Sequence, residues 1–334
     1  MTTNNAPLVQ ALVQQSLKGP KDLILTFDHP LPVAGPGAYL VRVGAAGVNF
    51  ADVMQSHGTY EGGPAAPYTA GFEAAGEIVA VGPAVENPLP VGTHVVGAGY
   101  GAFAQYTTLP AAGALPVPDG WSDAQSLGLV LNWATALAAL KPLGDIERGE
   151  TVLVHAAAGG VGQAAVRLAR HYGARVIATA SPSKHETVLA LGADHVLDSD
   201  RPDLAKHVLA LAPEGVDIAL ESVGRATFRD TLAVTRPVTG SIVVLGAASG
   251  HTEISTHDLI FTHRVQIKGL HIGAMATEAP QVYAGLLTEL RSLIADGVYP
   301  PGTPEVHALA DGPKVLRQLE SRKTTGKLAL DPWA

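Results

Sequence analysis

Apolar and polar positions along the chain follow two regimes that change near residue 123. Over the first 120 residues, short apolar runs are cut repeatedly by Gly and Pro. The clearest runs are Tyr39–Val43, Ala75–Val81 and Gly92–Val96, and their brevity predicts strands joined by tight turns in an all-β or barrel-like unit. From Asp123 helical spacing begins, with Leu127–Leu140 leading through Pro142 and Gly144 into the next segment. Apolar cores then recur at 152–155, 175–179, 195–197, 217–220, 242–245 and 266–270, with helical segments such as 203–212 and 226–235 between them. Six strands alternating with helices predict a doubly wound parallel sheet. The tail predicts a helix from Pro280 to Asp296, a turn at Tyr299–Gly302, a helix over 311–321 and a closing strand, Gly326–Leu330, expected to fold back on the first unit.

The segment Val152–Gly162 reads Val-Leu-Val-His-Ala-Ala-Ala-Gly-Gly-Val-Gly and is followed by a helical stretch, Gln163–Tyr172. In such a turn, residues without side chains let backbone N–H groups approach a pyrophosphate at the positive end of the helix. Gly159 and Gly162 are expected to be the essential pair. Ala157 takes the first glycine of G-x-G-x-x-G, so the strict pattern fails and the strand–turn–helix order carries the reading. A second strand, Ala174–Ala180, ends without the acidic residue that holds the ribose hydroxyls of NAD. Ser181 and Lys184 follow instead, a hydroxyl and a cation that tolerate a 2′-phosphate, which favours NADPH. Gly246 and Ala247 come after Ser241–Leu245, at the strand edge where open α/β sheets bind ligands, and are expected to meet the nicotinamide half.

A length of 334 residues suits two domains. Hydrophobic residues make up 47% of the chain but aromatics only 5%, so packing relies on Ala, Val and Leu. A formal charge of −8 without a basic run argues against nucleic acid. No apolar stretch of membrane-spanning length is expected, nor a signal peptide in the polar start Met1-Thr-Thr-Asn-Asn-Ala-Pro7, so the location expected is the cytoplasm, with no membrane partner. The absence of cysteine removes disulfides and sulfur-ligated zinc, and none of the 13 histidines forms an H-x-x-x-H pair, so no metal is expected.

Several motifs in order extend the picture: Ala46–Asp52, Pro67–Gly76, Gly101–Tyr106, the Ala-Ala-Ala-Gly-Gly-Val-Gly turn, Asp217–Gly224 and Ser321–Lys327. On these the chain resembles the medium-chain dehydrogenase/reductase superfamily, in its zinc-independent quinone oxidoreductase (zeta-crystallin-like) branch. The resemblance implies an α/β chain made of a GroES-like β-barrel catalytic domain, 1–128 with 273–334, and a Rossmann domain binding NADP(H), 129–272. It also implies a substrate cleft between the two domains and a homodimer formed through the strand near 266–270.

Asn49 stands where the zinc alcohol dehydrogenases of the superfamily place a cysteine, and Phe72 where they place a histidine. No Lewis acid is then left to polarise an oxygen, and the acceptor must already be electrophilic: a quinone or an α,β-unsaturated carbonyl. Asn49 is expected to bond the acceptor oxygen or the nicotinamide carboxamide, and Tyr60 to donate a hydrogen bond or a proton. Asp52 would orient Asn49 or a water, or merely cap a helix. Met54, where some relatives carry tyrosine, makes the pocket softer.

On the cofactor side the resemblance implies Asn132 and Thr135 beside the nicotinamide or its ribose, and Ala158, Gly159, Gly160 and Val161 at the pyrophosphate. Ser181 and Lys184 would lie toward the 2′-phosphate, Gly246 and Ala247 at the nicotinamide and Arg322 near the 2′-phosphate or adenine, with Ser199, Val223 and Ile272 among the other cofactor contacts. Two rival functions stand beside this one: an enoyl-thioester (acyl-CoA) reductase, and a non-catalytic NADPH-binding protein of crystallin type.

Overall fold

The computed structural model describes residues 7–334; Met1–Ala6, nearly all of the polar start discussed above, lie outside the described residues. The chain forms two compact units, one reaching to Leu131 and resuming over Pro301–Ala334, the other spanning Asn132–Pro300.

The first unit begins with β1 (Leu8–Gln14), β2 (Leu23–Pro30), β3 (Ala38–Val48), α1 (Phe50–Ser56), β4 (Tyr68–Thr69), β5 (Glu73–Val81), β6 (His94–Ala98), β7 (Tyr106–Pro110), β8 (Leu115–Pro116) and the single turn α2 (Asp123–Ser126). β3 is its spine, pairing antiparallel with β5 and with β7. Val41 and Val43 are fully buried while Arg42 between them is exposed, the period-two alternation of a sheet with one face in the core. β2 escaped the sequence reading because Ile24 and Phe27 are exposed and blur its alternation.

The apolar run after Asp123 is longer than expected. The stretch 123–143 is helical except at Leu127, which is extended, and Gly128, at φ 93°, with α3 (Ala134–Ala138) flanked by π-helical turns at 129–133 and 139–143. By length and composition, at a mean hydropathy of 1.2, it could cross a membrane, which corrects the expectation that no such stretch exists. With 78% of that window buried inside the protein, it has the character of a core helix of a globular fold.

The second unit continues with β9 (Thr151–Val154), α4 (Gly160–His171), β10 (Arg175–Ala180), α5 (His185–Ala190), β11 (His195–Asp198), α6 (Leu204–Leu211), β12 (Ile218–Glu221), α7 (Phe228–Val234), β13 (Ser241–Val244), β14 (Gln266–Gly269), α8 (Ile272–Glu278) and α9 (Pro280–Ala295). Its six parallel strands lie in the order β11-β10-β9-β12-β13-β14, the doubly wound arrangement expected, with the order reversing between β9 and β12. Every residue of β12 is buried, which is why these strands read as continuous apolar runs.

α9 sets the domain boundary. Tyr283, Leu286, Leu287, Leu290 and Leu293 fall on one buried face, and the helix packs on α3 and α8. The Tyr172 hydroxyl also donates to Glu289 Oε1 at 2.6 Å. Residues 273–300, expected with the first domain, therefore belong with the nucleotide sheet. At the two extremes of this unit the rings of Trp133 and Tyr299 stack, 3.8 Å apart and 13° from parallel.

The tail returns to the first unit as β15 (Glu305–Ala308), α10 (Gly312–Glu320) and β16 (Leu328–Asp331). β16 pairs antiparallel with β3 and parallel with β15, completing a seven-stranded sheet. Leu316 and Leu330 from the tail meet Leu12, Val43 and Phe103 in one core.

Candidate functional site

In the second unit the expected cofactor residues gather at the carboxyl ends of the six strands. The turn after β9 carries Ala158 to Val161, Ser181 follows β10, and Ser199 follows β11, its N–H donating to Ala180 O at 3.0 Å. Val223 follows β12, Gly246 and Ala247 follow β13, and Ile272 opens α8 just past β14. This rim is where a doubly wound sheet takes its ligand.

The glycine-rich turn differs from expectation in detail. α4 starts at Gly160 and not at Gln163, with Gly159 as a cap lacking any side-chain hydrogen bond, so backbone N–H groups of the first turn lie within the glycine run. A Cβ on Gly162 would sit 2.4 Å from Ala156 O and 2.6 Å from Ala157 Cα. One on Gly160 would sit 2.8 Å from Asn132 Oδ1. Gly159 has an ordinary φ of −83°, and its Cβ would meet only Ala156 O at 3.3 Å. Within the protein the steric constraint is sharpest at Gly162, where the neighbours are backbone atoms, whereas at Gly160 the neighbour is the Asn132 amide. A cradle of this kind fits the pyrophosphate of NADPH, with Asn132 and Thr135, both buried, placed on the helix beside it.

Two buried ionisable groups missed by the sequence reading support this rim. Glu221 accepts the N–H groups of Val223 (2.7 Å) and Gly224 (2.9 Å) and the hydroxyls of Thr227 and Thr231, the latter at 2.7 Å. His155 lies between Thr179 (3.1 Å) and Thr231 (3.0 Å), and burial pushes its imidazole below the usual range, against the charge of Glu221, which raises it. The network ties the residue preceding the glycine turn to the Val223 loop. Ser249 in turn donates to Val223 O at 2.8 Å, lacing that loop to the one after β13. Lys184 ends a short turn after β10, and burial lowers its ammonium below the ordinary lysine value. Arg201, which follows β11, has its Nη2 2.7 Å from His207 Nε2.

In the first unit, Asn49 caps α1 and Asp52 completes the box: the Asn49 N–H donates to Asp52 Oδ2 at 2.7 Å. The Asn49 amide donates to Gly47 O (3.2 Å) and Glu73 Oε2 (3.3 Å), and its Oδ1 accepts from Lys327 Nζ at 2.7 Å. The donor expected for an acceptor oxygen is thus engaged within the protein. Glu73, fully buried, also accepts the Gly128 N–H at 2.6 Å and pairs with Lys327 at 2.5 Å.

Asp52 is buried, and its Oδ1 has no hydrogen-bond partner. Desolvation pushes its carboxyl from 3.8 up to about 7, against the backbone N–H of Asn49 and the charge of Lys327, which pull it down. Tyr60 is half-buried, its phenol raised by burial, then by Tyr100 and Asp52. The Phe72 ring lies 5.1 Å from Tyr60 and 5.2 Å from Tyr100. Among the described residues no group of three or more His, Asp or Glu side chains is placed to hold a metal ion. Met54 is partly buried on α1, and Arg322 is exposed just past α10 with a left-handed φ of 59°.

Glu73 and Lys327 complete a cluster that sequence reasoning did not assemble. Each sits alone among apolar residues at the start of a buried strand, Phe72-Glu73-Ala74 and Lys327-Leu328-Ala329, and that isolation was the available signal.

The fold agrees with that of similar proteins. The alcohol dehydrogenase GroES-like domain family matches residues 35–119, and the zinc-binding dehydrogenase family matches residues 160–290. A Pseudomonas syringae quinone oxidoreductase is 32% identical, with 97% of this chain and 100% of that one covered at a TM-score of 0.90. The Escherichia coli quinone oxidoreductase complexed with NADPH is 28% identical, with 97% and 100% covered at a TM-score of 0.89. The chain also aligns over 96% of its length, at 33% identity, with a mycocerosic acid synthase-like polyketide synthase of Mycobacterium tuberculosis, of which it spans 15%. With two family matches in sequence order and whole-chain likeness in structure, the chain belongs to the quinone oxidoreductase group of the medium-chain dehydrogenase/reductase superfamily.

Proposed function

We propose that this protein is an NADPH-dependent reductase of quinones or α,β-unsaturated carbonyl compounds that works without zinc. The observation that carries the reading is the likeness along the whole chain to a quinone oxidoreductase complexed with NADPH. NADPH, when bound, supplies the hydride. The chain's own part on that side is to bind: the first turn of α4 offers N–H groups to the pyrophosphate, Ser181 and Lys184 favour the 2′-phosphate, and Ser199, Val223, Gly246, Ala247 and Ile272 line the rim. Arg322 is assigned to the adenine end.

In the first unit Asp52 and Tyr60 handle the proton that the reduced acceptor requires. Below about pH 7 Asp52 is an acid with an O–H to give, and the neighbouring phenol of Tyr60 is held neutral over the physiological range. Asn49 orients Asp52 through its backbone N–H. The zinc-free assignment is supported by the residues at the ligand positions, since the Phe72 ring has no lone pair and the sequence has no cysteine. We also assign the protein to the cytoplasm, where reduced nicotinamide is regenerated, and to a homodimer through β14, the edge strand of its sheet.

The test is NADPH oxidation by the purified protein with 1,4-benzoquinone, an enone and crotonyl-CoA. Turnover of the quinone or the enone is expected, with NADPH preferred over NADH by about tenfold or more in kcat/KM. Rates with crotonyl-CoA far above both would make the protein an enoyl-thioester reductase. Tight NADPH binding with no oxidation by any of the three would make it a non-catalytic binder.

A further inference from the structure

We propose that Lys327 is a positioning residue for acceptor reduction, its ammonium and the Glu73 carboxylate together clasping the Asn49 amide in one orientation at the start of the helix that carries Asp52. The inference rests on the reductase reading above.

Lys327 precedes β16, and the register of that strand on β3 sets Leu328 opposite Val48. This brings Nζ to 2.7 Å from Asn49 Oδ1 and 2.5 Å from Glu73 Oε2. The backbone beneath is shaped for the meeting. A Cβ on Gly47 would lie 2.3 Å from Glu73 Oε2 and 3.1 Å from Lys327 Cε, so any other residue there would push the pair apart.

The two ends of an asparagine amide differ little in shape but are opposite in hydrogen bonding. An ammonium can only donate, and a carboxylate can only accept. With one on each side, only one orientation of Asn49 is satisfied: Oδ1 toward Lys327, Nδ2 toward Glu73 and Gly47 O. The flipped amide would set N–H against ammonium and oxygen against carboxylate. The same Asn49 side chain takes part in the capping box with the backbone N–H of Asp52, whose Oδ2 accepts the Asn49 N–H in return, so the clasped amide sits against the residue that carries the acid.

As a stabilising device the pair is a poor choice. Glu73 is fully buried and the Lys327 side chain 12% exposed, and an apolar pair of similar volume would serve stability as well or better. A role in holding Asn49 and Asp52 explains the choice.

The experiment compares the full-length wild type with Lys327→Ala and with a Glu73→Gln/Lys327→Met double variant, which removes both charges and leaves no buried ion unpaired. Circular dichroism and NADPH fluorescence titration establish fold and cofactor binding. The double variant is expected to melt within about 5 °C of wild type and to bind NADPH within about twofold, while kcat with 1,4-benzoquinone falls about thirtyfold or more and the quinone KM moves less than about threefold. In Lys327→Ala, added methylammonium is expected to restore kcat saturably, which a purely structural role would not produce. A double variant with kcat within about threefold of wild type, or an alanine variant that folds yet shows no rescue, overturns the inference. Failure of the wild type itself to oxidise NADPH with any acceptor overturns the reductase reading, and is read before any variant is made.

Discussion

Asp52→Asn is expected to gain stability relative to wild type as pH rises, by an amount the surroundings of Asp52 define. Burial holds the folded carboxyl at about 7 against 3.8 for the ordinary group, a gap worth about 4 kcal/mol. Because the folded value is raised, the contribution of Asp52 is complete below pH 3.8 and is lost as pH climbs through about 7, where the folded protein must carry a buried carboxylate. About 1.6 kcal/mol of this is already lost at pH 5, which leaves about 3 kcal/mol to lose by pH 8.5. Asparagine has no such charge. It does place an amide N–H2 where Oδ1 now has no partner, a cost of about 1–3 kcal/mol that does not vary with pH. Urea midpoints followed by tryptophan emission, with Trp133 of the second unit replaced by Phe in both proteins so that Trp121 and Trp333 report the first unit, give the comparison. The variant should rise by about 3 kcal/mol relative to wild type between pH 5 and pH 8.5, whatever the fixed offset. Two curves that run parallel across that range would show that Asp52 ionises as an ordinary carboxylate, and the desolvation argument would fail.

Three further substitutions probe the nucleotide unit. Gly162→Ala must displace the Ala156–Ala157 backbone, and NADPH affinity measured by fluorescence titration should fall about tenfold or more; unchanged affinity would mean the turn relaxes freely. Lys184→Ala should lower kcat/KM for NADPH about tenfold and leave that for NADH nearly unchanged, so equal losses with both would remove Lys184 from 2′-phosphate recognition. Glu221→Gln turns an amide N–H2 toward a ring of donors, and should cost about 3 kcal/mol in thermal unfolding and loosen NADPH binding through the Val223 loop. A melting temperature equal to that of wild type would refute the network's role.

The nucleotide unit was the more legible half of the sequence. Its central strands β9, β12 and β13 are almost wholly buried and appear as mainly apolar blocks, while β11 and β14 at the sheet edges are less buried; all six lie within a residue or two of their expected places. The start of α4 was misplaced because glycines are poor helix formers, yet here they occupy the first turn, whose backbone no side chain caps. The boundary near 273 was misread because α9 is amphipathic, and amphipathicity shows that a face is buried without showing against what. In the first unit, β2 hid behind exposed apolar residues. The cluster of Asn49, Asp52, Glu73 and Lys327 was only half visible, since Lys327 reaches Asn49 through strand register across 278 positions of sequence.

The stacking of Trp133 on Tyr299 bears on how this chain could have been assembled. Both rings belong to the nucleotide unit, one within two residues of its beginning and the other one residue from its end. A unit whose two termini are pinned side by side can be spliced into a host chain at a single point, without requiring the host to bridge a gap. The first unit's own sequence breaks off at Leu131 and resumes at Pro301, as expected of a host that received such a module whole. The aromatic stack thus closes the second unit on itself, holding its first and last turns together whatever its remaining surface does.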